Sequence, residues 1–485
     1  MTERYRIPIL RDKLKVSSIL PGIVGDLRPF SAPEKNMIPL GFPKKLEEGW
    51  QQKAFGIFKK ILDNNKALKV FMDICVRCGA CSDKCQFFLG SGDIYNTPVG
   101  RAELLRKVYR YYFTNLKGEP FSENLLKKWM SYFYQCSECR RCAYFCPYGI
   151  DTAEITMAAR KIMHEIGLGV KYITDSINKV LTIGNNIGLT TKALKSTIND
   201  LEEELKEDTG KDIKIPLDEV GAEVLLVPPS ADFFAMPHME SLIGYAKVFY
   251  KSGISYTVSS YASEGANFAM FIGDYELTKA LNKRIWDEAK RLKVKRVVIG
   301  ECGHAWRAAY CYSNAMNGPF NFLDNHFQQP QHICEFTLDI MNKGLIKLDK
   351  SANDDKIITY HDSCNPARAT KMGNVVGGQF EIPRQLLSKV ANKIVEMDAA
   401  ANRERTFCCG AGAGLLADEI MQVRINGAYP KVNAINNVMK SHRVNTVAMI
   451  CAICKTQFNT ILPYYGLDRD MVVGIHQLIS NAIVL

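Results

Sequence analysis

The sequence predicts a mainly α-helical N-terminal region followed by an α/β region made of two related halves. Apolar residues recur at three- and four-residue intervals from Leu46 to about Glu207. From about Glu223, short β-branched runs alternate with helical patterns instead. Within that second region, AEVLLVPPSADFF resembles KIITYHDSCNPAR, and VKRVVIGECGHAWR resembles NTVAMICAICKTQF.

Residues 1–45 hold many Pro and Gly without clear periodicity, which predicts an extended arm. Residues 46–210 form the helical region. It opens with one helical pattern over residues 46–72, continues through AELLRKVYRYYF and ENLLKKWMSYFYQC, and resumes at Asp151, where Glu154 three residues on suits a helix start. Three helical stretches then run to about Glu207. The strand candidates AEVLLVP, VKRVVIG, KIITYH and NTVAMIC each end in a loop bearing polar or Cys residues, as in α/β units with sites at the carboxyl ends of parallel strands. The two halves span residues 223–344 and 357–485, and SSYASEGANFAMF corresponds to RTFCCGAGAGLLA.

With 485 residues, 47% hydrophobic and 23% charged, the chain is of ordinary globular composition. It shows no apolar run of the roughly 18 residues a membrane span needs, and its N-terminus does not read as a secretory signal. The expectation is a cytoplasmic protein with no transmembrane segment of its own. Sixteen cysteines then favour metal ligation over disulfides. Eight lie between Cys75 and Cys146, and eight between Cys302 and Cys454. The formal charge of +11 counts every thiol as neutral; two thiolate-bound clusters would remove about four positive charges. No dense basic tract with interleaved aromatics is present, so nucleic acid is not an expected partner.

Cys75, Cys78, Cys81 and Cys85 form one C-x2-C-x2-C-x3-C run; Cys136, Cys139, Cys142 and Cys146, followed by Pro147, form another. Zinc sites usually pair two C-x2-C knuckles across a gap, whereas this spacing resembles two-cluster bacterial ferredoxins. There the fourth Cys of each run serves the other cluster. The resemblance implies one cubane [4Fe–4S] cluster on Cys75, Cys78, Cys81 and Cys146, and another on Cys136, Cys139, Cys142 and Cys85.

In the second half stand Cys364, the Cys408-Cys409-Gly410 turn and the Cys451-Ala-Ile-Cys454 pair. Adjacent cysteines before a Gly-rich turn suit a cluster pressed against a loop. This set resembles the CCG domain of heterodisulfide reductase catalytic subunits. It implies a non-cubane [4Fe–4S] cluster held by Cys364, Cys408, Cys409, Cys451 and Cys454. The fold class becomes a mainly α-helical ferredoxin-type domain with two [4Fe–4S] clusters, followed by an α/β CCG domain. The first half departs from the pattern: Ser230 and Glu264-Gly265 stand where cysteines are expected, and only Cys302-Gly303-His304 remains. Cys302 and His304 are candidates to line the pocket or handle substrate sulfur and protons. His361 could lie in the proton path or be structural. Cys311 and Cys334 fit no pattern and are expected to be structural.

GECGHAWR, HDSCNPAR, FCCGAGAG and CSECRRCAYFCPYGIDTAEITMAAR together resemble the HdrD-like heterodisulfide reductase family, which includes the K subunit of the Dsr membrane complex (DsrK). That resemblance implies an oxidoreductase acting on sulfur groups in dissimilatory sulfur metabolism, peripheral on the inner face of the cell membrane. Its partners would be a membrane cytochrome b subunit (DsrM-like) and a small sulfur-carrier protein (DsrC-like). A rival expectation is the electron-transfer subunit of a flavin-dependent hydroxy-acid or glycerol-3-phosphate dehydrogenase. No G-x-G-x-x-G follows a strand here, so any flavin would sit on a partner.

Overall fold

A computed structural model describes residues 34–485. The helical region is built around the helix Thr152–Glu165, whose Ile155, Ala159, Ile162 and Met163 are fully buried. Asp151 caps it by accepting from the Ala153 N–H at 2.9 Å. Helices Trp50–Asn64, Pro98–Phe113 and Glu123–Phe133 pack on this central helix. Trp50–Asn64 buries Trp50, Ala54, Phe58 and Leu62, one face at four-residue spacing. The single helix expected over residues 46–72 is two helices. Asn65 breaks it, because its side chain accepts from the Leu68 N–H at 2.9 Å and starts Lys66–Asp73 anew. Of the expected N-terminal arm, residues 1–33 lie outside the described residues. Its end is not extended: Glu34–Leu40 is helical, and Met37, Leu40 and Phe42 are buried in the helical core.

The α/β region holds two four-stranded parallel sheets of identical order. The first contains β1 (Val224–Val227), β2 (Tyr256–Thr257), β3 (Arg296–Ile299) and β4 (Gln331–His332), arranged β2-β1-β3-β4. The second contains β5 (Ile358–Tyr360), β6 (Ile394–Val395), β7 (Thr446–Met449) and β8 (Val472–Gly474), arranged β6-β5-β7-β8. The central pairs match in register, Val224 opposite Arg296 and Ile358 opposite Thr446. In each sheet the chain first steps to one side and then crosses to the other. This reversal opens a crevice beyond the carboxyl ends of the two central strands, where open α/β sheets bind ligands.

The two halves share a core. Val224–Val227, Val297–Ile299, Ile358, Tyr360 and Ala448 belong to one continuous buried cluster. The helix Gln86–Ser91, which follows the first cysteine run, packs on the long helix Met421–His442 of the second half. Glycines permit the approach: a Cβ at Gly90 would fall 1.9 Å from the Asn426 carbonyl oxygen, and one at Gly427 would fall 2.3 Å from the Phe87 ring. Among the described residues, no helix is long and apolar enough to cross a membrane.

Candidate iron–sulfur centres

The first cysteine run wraps a hollow that Cys146 and Pro147 close from the far side. Cys75, Cys78, Cys81 and Cys146 all line this cavity of ≈ 30 Å³. Cys85 lies instead with the second run. Burial pushes its thiol up, Arg101 opposes that, and Cys139 and Cys136 add to it. Burial raises Cys142 well above its ordinary value, with Cys139, Cys136 and Cys85 contributing. Each run therefore places its fourth cysteine beside the other run's first three. Among the described residues, no three His, Cys, Asp or Glu side chains converge on a point that one metal ion could fill.

The two runs turn alike. Arg77 and Glu138, each just before the second cysteine of its run, have φ of 56° and 51°; Gly79 and Arg140, just after it, have φ of 79° and 59°. Arg140 is held in this left-handed conformation by Asp151 at 2.6 Å and Glu154 at 3.0 Å.

Arginines fasten the second run to the α/β region. Arg160 is fully buried, pairs with Glu138 at 2.9 Å, and donates to the carbonyls of Cys136 at 2.7 Å and Ala413 at 2.8 Å. Arg141 donates to Lys84, Arg405 and Ala400 carbonyls and stacks 3.8 Å from the Phe407 ring. Arg368 donates to the Cys139 carbonyl at 2.6 Å. Arg368 sits on the helix Cys364–Ala369, so this bond joins the second run directly to the CCG cysteines.

Those cysteines collect at the crevice of the second sheet. Cys364 follows β5, Cys451 caps the helix after β7, and Cys454 lies one turn into that helix. Cys408 and Cys409 arrive on the intervening loop, where Gly410 at φ 98° presses so close to the helix Met421–His442 that a Cβ would fall 2.7 Å from the Ala428 nitrogen. The thiols touch in sequence. Cys364 contacts Cys408, Cys408 contacts Cys409, Cys409 contacts Cys454, and Cys454 contacts Cys451. Cys302, from the first half, contacts Cys451 and extends the line to six. Cys408 and Cys451 are held well below the ordinary thiol value, first by the Cys364 and Cys302 thiols respectively. The flanking thiols are pushed up correspondingly. Six buried thiols in contact cannot all ionise without added positive charge, and an all-sulfur donor set suits iron–sulfur ligation. The residues therefore fit the clusters implied for them.

His304 directs Nδ1 toward the Cys451 sulfur at 3.9 Å, while its Nε2 is buried without a hydrogen-bond partner. His361 is buried with both ring nitrogens unpartnered, and burial pushes it down to about 3, which keeps it neutral. Cys334 is fully buried in the shared core. Cys311 is not buried: it is exposed, and its thiol donates to the Ala369 carbonyl at 3.1 Å.

Several charged residues escaped the sequence reading. Lys455, beside Cys454, is fully buried against Glu301 at 3.1 Å and Asp232 at 3.9 Å. Glu301 also pairs with His476 at 2.8 Å. Lys431 is fully buried near Cys454, and burial pushes its ammonium down to about 7. Beyond Cys302 opens a cavity of ≈ 470 Å³, lined by Tyr172, Glu264, Arg424, Ala452 and Thr456 among others.

Comparison with known proteins agrees with this layout. Residues 71–150 match a 4Fe-4S dicluster domain, and residues 358–459 match a cysteine-rich domain of the CCG type. The pair defines an iron–sulfur oxidoreductase of the heterodisulfide-reductase class. The chain is 40% identical over 479 residues to the Hdr-like menaquinol oxidoreductase iron–sulfur subunit of Archaeoglobus profundus, covering 91% of this chain and 84% of that one. A second such protein, from Archaeoglobus fulgidus, is also 40% identical over 479 residues, covering 91% of this chain and 85% of its own. One component of the dihydromethanophenazine:CoB–CoM heterodisulfide reductase of Methanosarcina mazei is 25% identical over 432 residues, covering 85% of this chain and 94% of its own. The chain belongs to this family of heterodisulfide-reductase-like iron–sulfur subunits.

Proposed function

We propose that the chain is the catalytic iron–sulfur subunit of a membrane-associated complex, moving electrons between a quinol-linked cytochrome b partner and a disulfide or trisulfide. Menaquinol enters this reading because the 40% identical relatives are named for it. A DsrC-like sulfur carrier and a DsrM-like cytochrome are the finer expectation for the two partners.

The observation that carries the proposal is a series of three sulfur sites. It runs from the hollow of Cys75, Cys78, Cys81 and Cys146, through Cys85 with Cys136, Cys139 and Cys142, to Cys364 and the CCG set, and ends at the open cavity beside Cys302. Two cubane clusters at the first two positions and a non-cubane [4Fe–4S] cluster on Cys364, Cys408, Cys409, Cys451 and Cys454 would supply one-electron transfer and iron to which a substrate sulfur binds. Disulfide cleavage takes two electrons and two protons, yielding two thiols. The chain's own part is to exclude water from the sulfurs, which it does by complete burial of the CCG cysteines. It also supplies fixed positive charge from Arg101, Arg160 and Lys455, all fully buried.

The test is iron analysis with electron paramagnetic resonance on anaerobically purified protein, oxidised with and without a thiol. About twelve irons per chain and a thiol-dependent signal in the oxidised state are expected. About eight irons with only reduced-cubane signals would make the chain an electron relay. Co-purification with a flavoprotein in place of a b-type cytochrome would favour instead the electron-transfer subunit of a flavin-dependent hydroxy-acid or glycerol-3-phosphate dehydrogenase.

A further inference from the structure

The first half keeps the shape of a cluster site with only Cys302 of the matching cysteines. Where Cys364 touches Cys408 in the second half, Ser230 meets Glu264 in the first. Both the Ser230 N–H and its hydroxyl donate to Glu264 Oε2, at 2.8 and 3.0 Å. Cys302 caps the helix after β3 as Cys451 caps the helix after β7, with nearly the same backbone, φ −136° and −140°. The two crevices face each other through the Cys302–Cys451 contact. The cavity of ≈ 470 Å³ opens there, with Glu264 and Cys302 in its wall.

From this geometry we propose that the vacated crevice is the proton-handling half of the active site, and that Glu264 is the catalytic acid which protonates the sulfur released beside Cys302. The inference rests on the disulfide-reductase reading above. In the step, the S–S bond takes two electrons from the cluster line, the Glu264 carboxyl gives its proton to one leaving thiolate, and the resulting carboxylate takes a new proton from water in the cavity. The second thiolate is protonated by a repeat of that transfer. His304 is placed less well for this, because its Nε2 has no partner through which a proton could arrive.

Burial raises the Glu264 carboxyl to about 7, against the pull of the two Ser230 donors, which suits an acid working near neutrality. The groups facing this space from the surrounding elements are Tyr172, Asp175 and Lys179 of one helix, Asp418 and Arg424 of the second half, and Cys302. Tyr172 is raised by burial and then by Glu264, so it stays protonated beside the carboxylate. Activity that needs the acid form is lost as pH rises through about 7.

The test uses the full-length, cluster-loaded protein with reduced methyl viologen as donor and bis(2-hydroxyethyl) disulfide as acceptor. E264Q keeps an oxygen for Ser230 and should lower turnover by about 10² or more, with the alkaline limb of the wild-type pH profile abolished. S230A removes the hydroxyl contact and keeps the backbone N–H one, so the limb should move to higher pH with turnover retained below it. Infrared difference spectra should show a protonated-carboxyl band titrating near neutrality, absent in E264Q and shifted alkaline in S230A. Wild-type turnover with an unchanged rate, profile and band in E264Q would overturn the inference alone. A fully iron-loaded wild type that reduces no disulfide would overturn the proposed function, and this inference with it.

Discussion

The two cysteine runs of the helical region share one spacing and one backbone turn, yet they occupy opposite environments. The first lies at the surface: Cys78 is exposed, Val76 is 58% and Tyr148 45% exposed, and Arg77 meets Glu103 in a solvent-facing pair at 3.3 Å. The second is sealed inward, with Glu138 and Arg160 almost wholly buried, Arg141 and Arg160 reaching into the α/β region, and Arg368 reaching back from it. The motif sets how sulfurs are presented; the surroundings set which end of an electron path they serve. Under the proposed function, electrons would exchange with an outside partner at the first run and reach the CCG cysteines through the second.

That contrast can be broken by experiment. The largest effect is expected for Arg160→Met, which strands a buried carboxylate and several carbonyls. It should cost about 3–5 kcal/mol in denaturant unfolding of the loaded protein. A loss under about 1 kcal/mol would mean that the inward clamp is not what holds the second run. Arg140→Ala should cost about 2 kcal/mol, since it loses the Asp151 and Glu154 partners and keeps the left-handed strain. Arg140→Gly should recover roughly 1 kcal/mol of that, and an identical loss in both would remove the strain argument. Under an anaerobic iron chelator, the first about four irons should leave at least about tenfold faster than the others, equivalent to about 1.4 kcal/mol in barrier. Electron paramagnetic resonance would assign them to the exposed run, and release from the second run first would reverse the comparison. Smallest is Arg77→Ala, expected to change stability by less than about 1 kcal/mol because its ion pair is solvated.

Much of this was legible in the chain. The strands β1, β3, β5 and β7 carry β-branched runs long enough to see, and they are the central strands that flank both crevices. The edge strands β2, β4 and β6 are two residues long, too short for any alternation, and exist only through pairing with a neighbour. The cysteine sets stood out because spacing alone narrows their chemistry. The break at Asn65 was hidden because apolar residues continue in helical rhythm through it, and only the side-chain cap shows the restart. Cys302 was singled out, but its contact with Cys451 depends on two crossovers and a shared core. Glu301, Lys455 and Lys431 were invisible for the same reason. A charged residue in a sequence is by default a solvated one, and only the fold shows which are enclosed.

The common core of the two sheets has a consequence for how such a chain can change. Val224–Val227 and Ile358–Tyr360 bury each other's neighbours in a single interior, as the two halves of an obligate dimer do. A fused dimer of this kind can lack cysteines in one crevice and keep its fold, because the strands at the heart of the shared interior carry none of them. It cannot dispense with the half that lacks them, since removing that half would expose the interior of the other. The half with only Cys302 of the matching cysteines is thus retained as architecture first, and its emptied loops are free to take up different work.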